Sequence, residues 1–137
     1  MKSLRNMMLG SGRLPDDLRA ASTAEGVEFL EEGLPGSITY RNYRAPGQRT
    51  SLRKEATTGA ILVTSQRLVV WAGRGKNIDV PLDHPLRAAI DVRLDGPDRI
   101  CFAYDAGEFS TERSGMIEVR LRTDQAAQVA EILKPKI

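Results

Sequence analysis

The chain has 137 residues, of which 20 are Lys or Arg and 18 are Asp or Glu, for a net charge of +2. That near balance excludes the broad electrostatic attraction on which sequence-independent nucleic-acid binding depends. The single cysteine, Cys101, and the single histidine, His84, exclude an internal disulfide and a four-ligand structural zinc site.

Apolar residues make up 41% of the chain and charged residues 28%, the balance of a globular chain. The length suits one domain. That domain is expected over residues 15–137, after a flexible tail or linker at residues 1–14 centred on Gly10-Ser11-Gly12. No run approaches the ~18 consecutive apolar residues of a membrane span. Met7-Met8-Leu9 is too short for a signal-peptide core. With one cysteine, the expected compartment is the cytoplasm.

The first element is a short helix expected at Pro15 to Ala21, where Pro15, Asp16 and Asp17 suit a first turn. Val27 to Glu32 fits strand and helix equally. Gly33 to Gly36 has the chemistry of a turn. A strand then begins at Ser37 to Tyr40, and Ala45-Pro46-Gly47-Gln48 breaks it. Ala60 to Val63 and Arg67 to Ala72 form a hairpin, and Gly73-Arg74-Gly75 turns the chain into Asn77 to Val80.

Period-two alternation is clearest in the second half. Ile90, Val92 and Leu94 share one face, as do Ile100, Phe102 and Tyr104, and again Ile117, Val119 and Leu121. Each set predicts a half-buried antiparallel strand with a wet outer face. Thr123 and Asp124 then suit a helix start, and Ala126, Val129, Ala130 and Leu133 recur at helical spacing before Pro135. The expected interior is Ile38, Ile61, Val63, Val70, Ile90, Val92, Phe102, Val119 and Leu121, bulky enough to fill a small barrel.

The segment Gly59-Ala60-Ile61-Leu62-Val63-Thr64-Ser65-Gln66-Arg67-Leu68 resembles the Gly-x-Ile-x-x-Thr-x-x-Arg-Leu hairpin of GRAM-type and bacterial pleckstrin-homology-like domains. Asn77 to Leu82 is similar to their apolar-x-apolar-Pro strand. The resemblance implies a mainly β fold with one C-terminal α-helix, a pleckstrin-homology-like antiparallel β-barrel of about seven strands, here preceded by a short N-terminal helix. It also implies a binding role. The only tryptophan, Trp71, lies in a strand rather than in the last helix. The first hairpin also lacks the basic-x-basic spacing of phosphoinositide readers, so that specificity is not carried over.

Arg41, Arg44, Arg49, Arg53 and Lys54 form a basic stretch without an acid, and Glu25, Glu28, Glu31 and Glu32 an acidic one without a base. The two stretches either face each other or solvate separate surfaces. The functional reading of the basic stretch is an anionic-ligand site in the loop around Pro46-Gly47, since arginine binds phosphate or carboxylate through two hydrogen bonds. Tyr40 and Tyr43 interleave with these arginines but suit cross-strand packing better than base stacking.

No catalytic arrangement stands out. His84 reads as a loop histidine. Cys101, between Ile100 and Phe102, shares a face with Ala103 that suits packing on another surface. Asp105, Glu108 and Glu112 lack calcium-loop spacing. Gly73-Arg74-Gly75-Lys76 does not open a helix, as a phosphate-cradling loop would. The expected function is therefore a non-enzymatic module without a cofactor. It would contact a protein partner or an anionic membrane surface at the inner face of the membrane. A self-assembling homo-oligomer is the rival, and a ligand-carrying barrel or nucleic-acid binder the remoter reading.

Overall fold

The computed structural model describes residues 13–72 and 75–134. Residues 1–12 of the tail expected at residues 1–14, Gly73 and Arg74 of the expected Gly73-Arg74-Gly75 turn, and the stop at Pro135 lie outside the described residues. The fold is mainly β, with seven antiparallel strands, a short N-terminal helix and a C-terminal helix. The strands are β1 (Val27–Ala45), β2 (Gln48–Thr64), β3 (Arg67–Ala72), β4 (Gly75–Pro81), β5 (Asp91–Leu94), β6 (Arg99–Asp105) and β7 (Ser114–Arg122). The helices are α1 (Asp16–Glu25), the single turn α2 (Pro85–Ala88) and α3 (Ala126–Ile132). Hydrogen-bonded neighbours follow the order β4-β3-β2-β1-β7-β6-β5.

The chain divides into two compact units. Of the described residues, one takes those up to Gly36 together with those between Ala56 and Arg87. The other takes Ser37–Glu55 together with the described residues from Ala88 onward.

In the first unit, α1 runs to Glu25, beyond the predicted end at Ala21. The Ser22 and Thr23 hydroxyls donate back to the carbonyls of Leu18 and Arg19, so both side chains are satisfied within the helix. Gly26 ends it at φ 86°. Leu14, placed by sequence in the tail, is buried and packs with Ala60, Leu62 and Val69, flanked by Leu18 and Trp71.

No turn interrupts the chain at Gly33 to Gly36, where the sequence predicted one. Strand β1 continues through it. Gly33 takes φ 71°, and the buried side chains pass from odd Phe29 to even Leu34 and Ile38. A left-handed residue inside a strand shifts the inward face in this way without ending the strand. The predicted hairpin is present. Ser65 and Gln66 join β2 to β3, with Val63 opposite Leu68 and Ile61 opposite Val70. Residues 60–63 and 68–70 are buried on both faces.

In the second unit, β5, β6 and β7 pair antiparallel, with Phe102 between Val92 and Val119. Helix α3 packs on β5 and β6 through a face that buries Ala126, Val129 and Leu133. The helix begins at Ala126 with Gln125 as its N-cap, two residues later than the predicted start at Thr123. Thr123 instead closes the turn before it, its Oγ1 accepting from the N–H of Gln125 at 3.0 Å and its carbonyl from that of Ala126 at 3.2 Å. The face predicted for β5 is only partly inward. Ile90 is buried, Val92 is half-buried, and Leu94 is 46% exposed. A four-residue strand at the end of the hydrogen-bonded order has less to cover it.

Candidate anion-binding site

The second unit carries a cleft of about 360 Å³. Strand β1 contributes Thr39 and Arg41, and β2 contributes Leu52 and Lys54. Each pair is two residues apart, so its members project from the same face of the strand. The turn after β5 adds Asp95, β6 adds Arg99 and β7 adds Arg120. Four cations thus surround one carboxylate.

Ion pairs order these cations. Arg120 Nε donates to Asp95 Oδ2 at 2.8 Å, and its Nη1 to Glu118 Oε1 at 3.0 Å. Glu118 Oε1 also accepts from Arg41 Nε at 3.3 Å. Arg99 Nε donates to the Asp95 carbonyl at 3.0 Å and lies 3.6 Å from Asp95 Oδ2. The Arg120 hydrogen bond holds the Asp95 carboxyl below its ordinary range. Burial pushes Glu118 upward, but hydrogen bonds from Arg120 and Arg41 outweigh it and leave its carboxyl low as well. Lys54 makes no ion pair among the described residues.

The structure divides the five basic residues predicted as one site. They do not occupy a loop: Arg41 and Arg44 lie in β1, and Arg49, Arg53 and Lys54 in β2. Only Arg41 and Lys54 line the cleft. Arg44 and Arg49 are exposed on either side of the Pro46-Gly47 turn. Arg53 neighbours Lys54 and so faces the other way, with its guanidinium 4.5 Å from the Tyr40 ring centroid. The Tyr40 hydroxyl is raised by burial and by the nearby Glu55 carboxylate. Its ring meets Tyr43 at 5.0 Å. Tyr43 is buried, and its hydroxyl accepts from Arg113 at 3.3 Å. Tyr43 thus packs in the core, and the two rings meet along β1 rather than across strands.

Sequence reasoning missed Asp95, Arg99, Glu118 and Arg120 as members of a site. Their only signal was the alternation that put Glu118 and Arg120 on the outer face of β7. Two glutamates of the acidic stretch have partners close by in the first unit. Glu25 is gripped by Arg67, and Glu32 pairs with Arg19 at 3.3 Å and accepts the Leu14 N–H at 2.7 Å.

Other candidate groups are accounted for locally. Cys101 is fully buried and stands opposite Arg93 on one side and Arg120 on the other. Burial raises its thiol, against the opposing pull of those arginines. His84 is exposed, and its Nδ1 accepts the Leu86 N–H at 3.0 Å. Asp105 Oδ1 accepts the Gly107 N–H at 2.8 Å, closing its own turn. Among the described residues no group of three His, Cys, Asp or Glu side chains is placed to hold a metal.

The first unit has a shallow groove of about 430 Å³, lined by Pro15, Leu18, Ala21 and Trp71, with Asp17 and Arg67 also at its wall. Arg67 is already engaged by Glu25 and Asp79. No protein-family model matches the chain. No curated protein matches it either.

Proposed function

We propose that this chain is a non-catalytic binding module whose basic cleft meets an anionic lipid surface. The observation that carries the reading is the gathering of Arg41, Lys54, Arg99 and Arg120 around one cleft, with Leu52 61% exposed at its wall. An apolar side chain set among cations suits a surface that is charged outside and apolar beneath. The seven strands followed by a helix, and the Thr64-to-Arg67 hairpin, support a pleckstrin-homology-like membership, whose members bind rather than catalyse. No helix among the described residues is long and apolar enough to cross a membrane, so contact would be peripheral, at the inner face.

The energetics make the contact weak. Arg44, Arg49 and Lys54 are exposed and without ion pairs among the described residues, and each contributes about 1 kcal/mol near an anionic leaflet. Burying Leu52 adds about 2 kcal/mol. A total of about 5 kcal/mol corresponds to sub-millimolar affinity. Several copies, or a second contact, would be needed for stable residence.

Co-sedimentation with phosphatidylcholine vesicles, with and without phosphatidylserine, at low salt tests the reading. The protein should pellet only with the anionic vesicles, and Arg41→Gln with Lys54→Gln should weaken pelleting about fivefold or more, the scale of the lost Lys54 contribution. If the double variant pellets like the wild type, the cleft is not the contact. Indifference to phosphatidylserine would instead favour an acidic protein partner.

A further inference from the structure

We infer that the Asp95 carboxylate occupies the place of an incoming oxyanion, so that the cleft carries its own competitor. The inference rests on the anion-binding reading above and concerns how that site is regulated. Asp95 Oδ2 lies 2.8 Å from Arg120 Nε and 3.6 Å from Arg99 Nε. Two guanidinium groups converging on one carboxylate is the arrangement by which arginines hold a phosphate.

The two acids of the network differ in their freedom. Glu118 has a side chain only 12% exposed and takes hydrogen bonds from Arg41 and Arg120 together. It acts as a fixed counter-charge that positions both guanidinium groups. The Asp95 side chain is 40% exposed and sits at the head of the Asp95–Asp98 turn. That turn is held by main-chain bonding, with the Asp95 N–H on the Arg99 carbonyl at 2.9 Å. The carboxylate can therefore leave without undoing the turn.

Charge gives the direction of exchange. Arg41, Lys54, Arg99 and Arg120 face Asp95 and Glu118, which leaves two positive charges uncompensated. An oxyanion entering in place of the Asp95 carboxylate meets Arg99 and Arg120 and also has the Lys54 ammonium, unpaired among the described residues, within the same cleft. The internal carboxylate weakens binding without abolishing it, so weak monovalent anions are screened out and clustered or more highly charged groups gain entry.

Binding of Asp95→Asn, Asp98→Asn and Lys54→Gln to phosphatidylserine-containing vesicles tests this. Asp98 belongs to the same turn but pairs with Arg122 at 3.6 Å, outside the cleft lining, so its variant controls for net charge. Asp95→Asn should bind about two- to fivefold more tightly, the scale of an exposed charge pair. Asp98→Asn should change binding much less, and Lys54→Gln should weaken it. Equal gains from the two aspartate variants would overturn the competitor while leaving the anion-binding reading intact. Failure of the wild type and of Asp95→Asn to bind would overturn both. A second measurement needs no variant: inorganic phosphate titrated into the wild type should shift the Nε–H resonances of Arg120 and Arg99. A shift at Lys54 with those two unmoved would also overturn the inference.

Discussion

Arg67 grips Glu25 with both arms of its guanidinium, Nε on Oε1 at 3.0 Å and Nη2 on Oε2 at 3.0 Å. The Thr64 hydroxyl donates to the same Oε1 at 2.9 Å and accepts the N–H groups of Gln66 and Arg67 at 3.1 and 3.0 Å. Arg67 also reaches Asp79 at 3.3 Å. The Thr-x-x-Arg spacing that marks the hairpin therefore has a structural cause. Threonine closes the two-residue turn, and the arginine ties the end of α1 to β3 and β4.

Replacing Arg67 by lysine should lower the unfolding free energy by about 1–2 kcal/mol, because a point charge cannot reproduce the two-armed contact with Glu25. Urea denaturation measures this. A loss as small as that of an exposed ion pair would mean that the fork adds nothing beyond charge.

Gly115 should tolerate no side chain. Its φ is 101°, and a Cβ would lie 2.3 Å from the Asn42 carbonyl oxygen and 2.7 Å from the Tyr43 Cα. Both are backbone atoms, so neither can turn aside. Gly115→Ala should cost about 3 kcal/mol or more, whereas Gly47→Ala, at φ 74° with nothing within 4 Å, should cost about 1–2 kcal/mol. Thermal unfolding of the two variants separates the steric cost from the conformational one.

Acid should destabilise the protein through the cleft. Asp95 and Glu118 are both held below their ordinary ranges in the folded state. Their contribution is complete above the unfolded carboxyl values of about 4 and is lost as pH falls through the depressed folded ones. Urea midpoints measured from neutral pH downward should fall in that window. Asp95→Asn should flatten the slope, and an unchanged slope would remove Asp95 from the cause.

Cys101 should resist alkylation while the protein is folded. Its side chain is fully buried, and burial raises the thiol, disfavouring the thiolate that reacts. Labelling by iodoacetamide should follow the unfolding curve through increasing urea. Rapid labelling in native buffer would show that β6 opens locally.

The cleft was legible only in part. Arg41 and Lys54 were marked by their place in an acid-free run, but so were Arg44, Arg49 and Arg53. Nothing local distinguishes Lys54, in the cleft, from Arg53, over Tyr40, because one step along a strand reverses the side chain. Nor did the sequence show that Asn42, between Tyr40 and Tyr43, takes φ 50° and lets their rings meet on one face.

Taken by itself, the sequence determined the elements whose signals are local. The hairpin from Ala60 to Ala72, strands β6 and β7 and helix α3 follow from apolar spacing and turn residues, though the helix starts at Ala126 rather than after Thr123. The tertiary structure decided what those elements do together. It carried β1 through Gly33 to Gly36, where buried Leu34 and Ile38 outweigh the turn preference. It gave Glu25 to Arg67 and Glu32 to Arg19 instead of to the neighbouring arginines. It also set Asp95 and Glu118 among Arg41, Arg99 and Arg120. Strand register decides which charges meet, and register is set by the packing of the whole inward face.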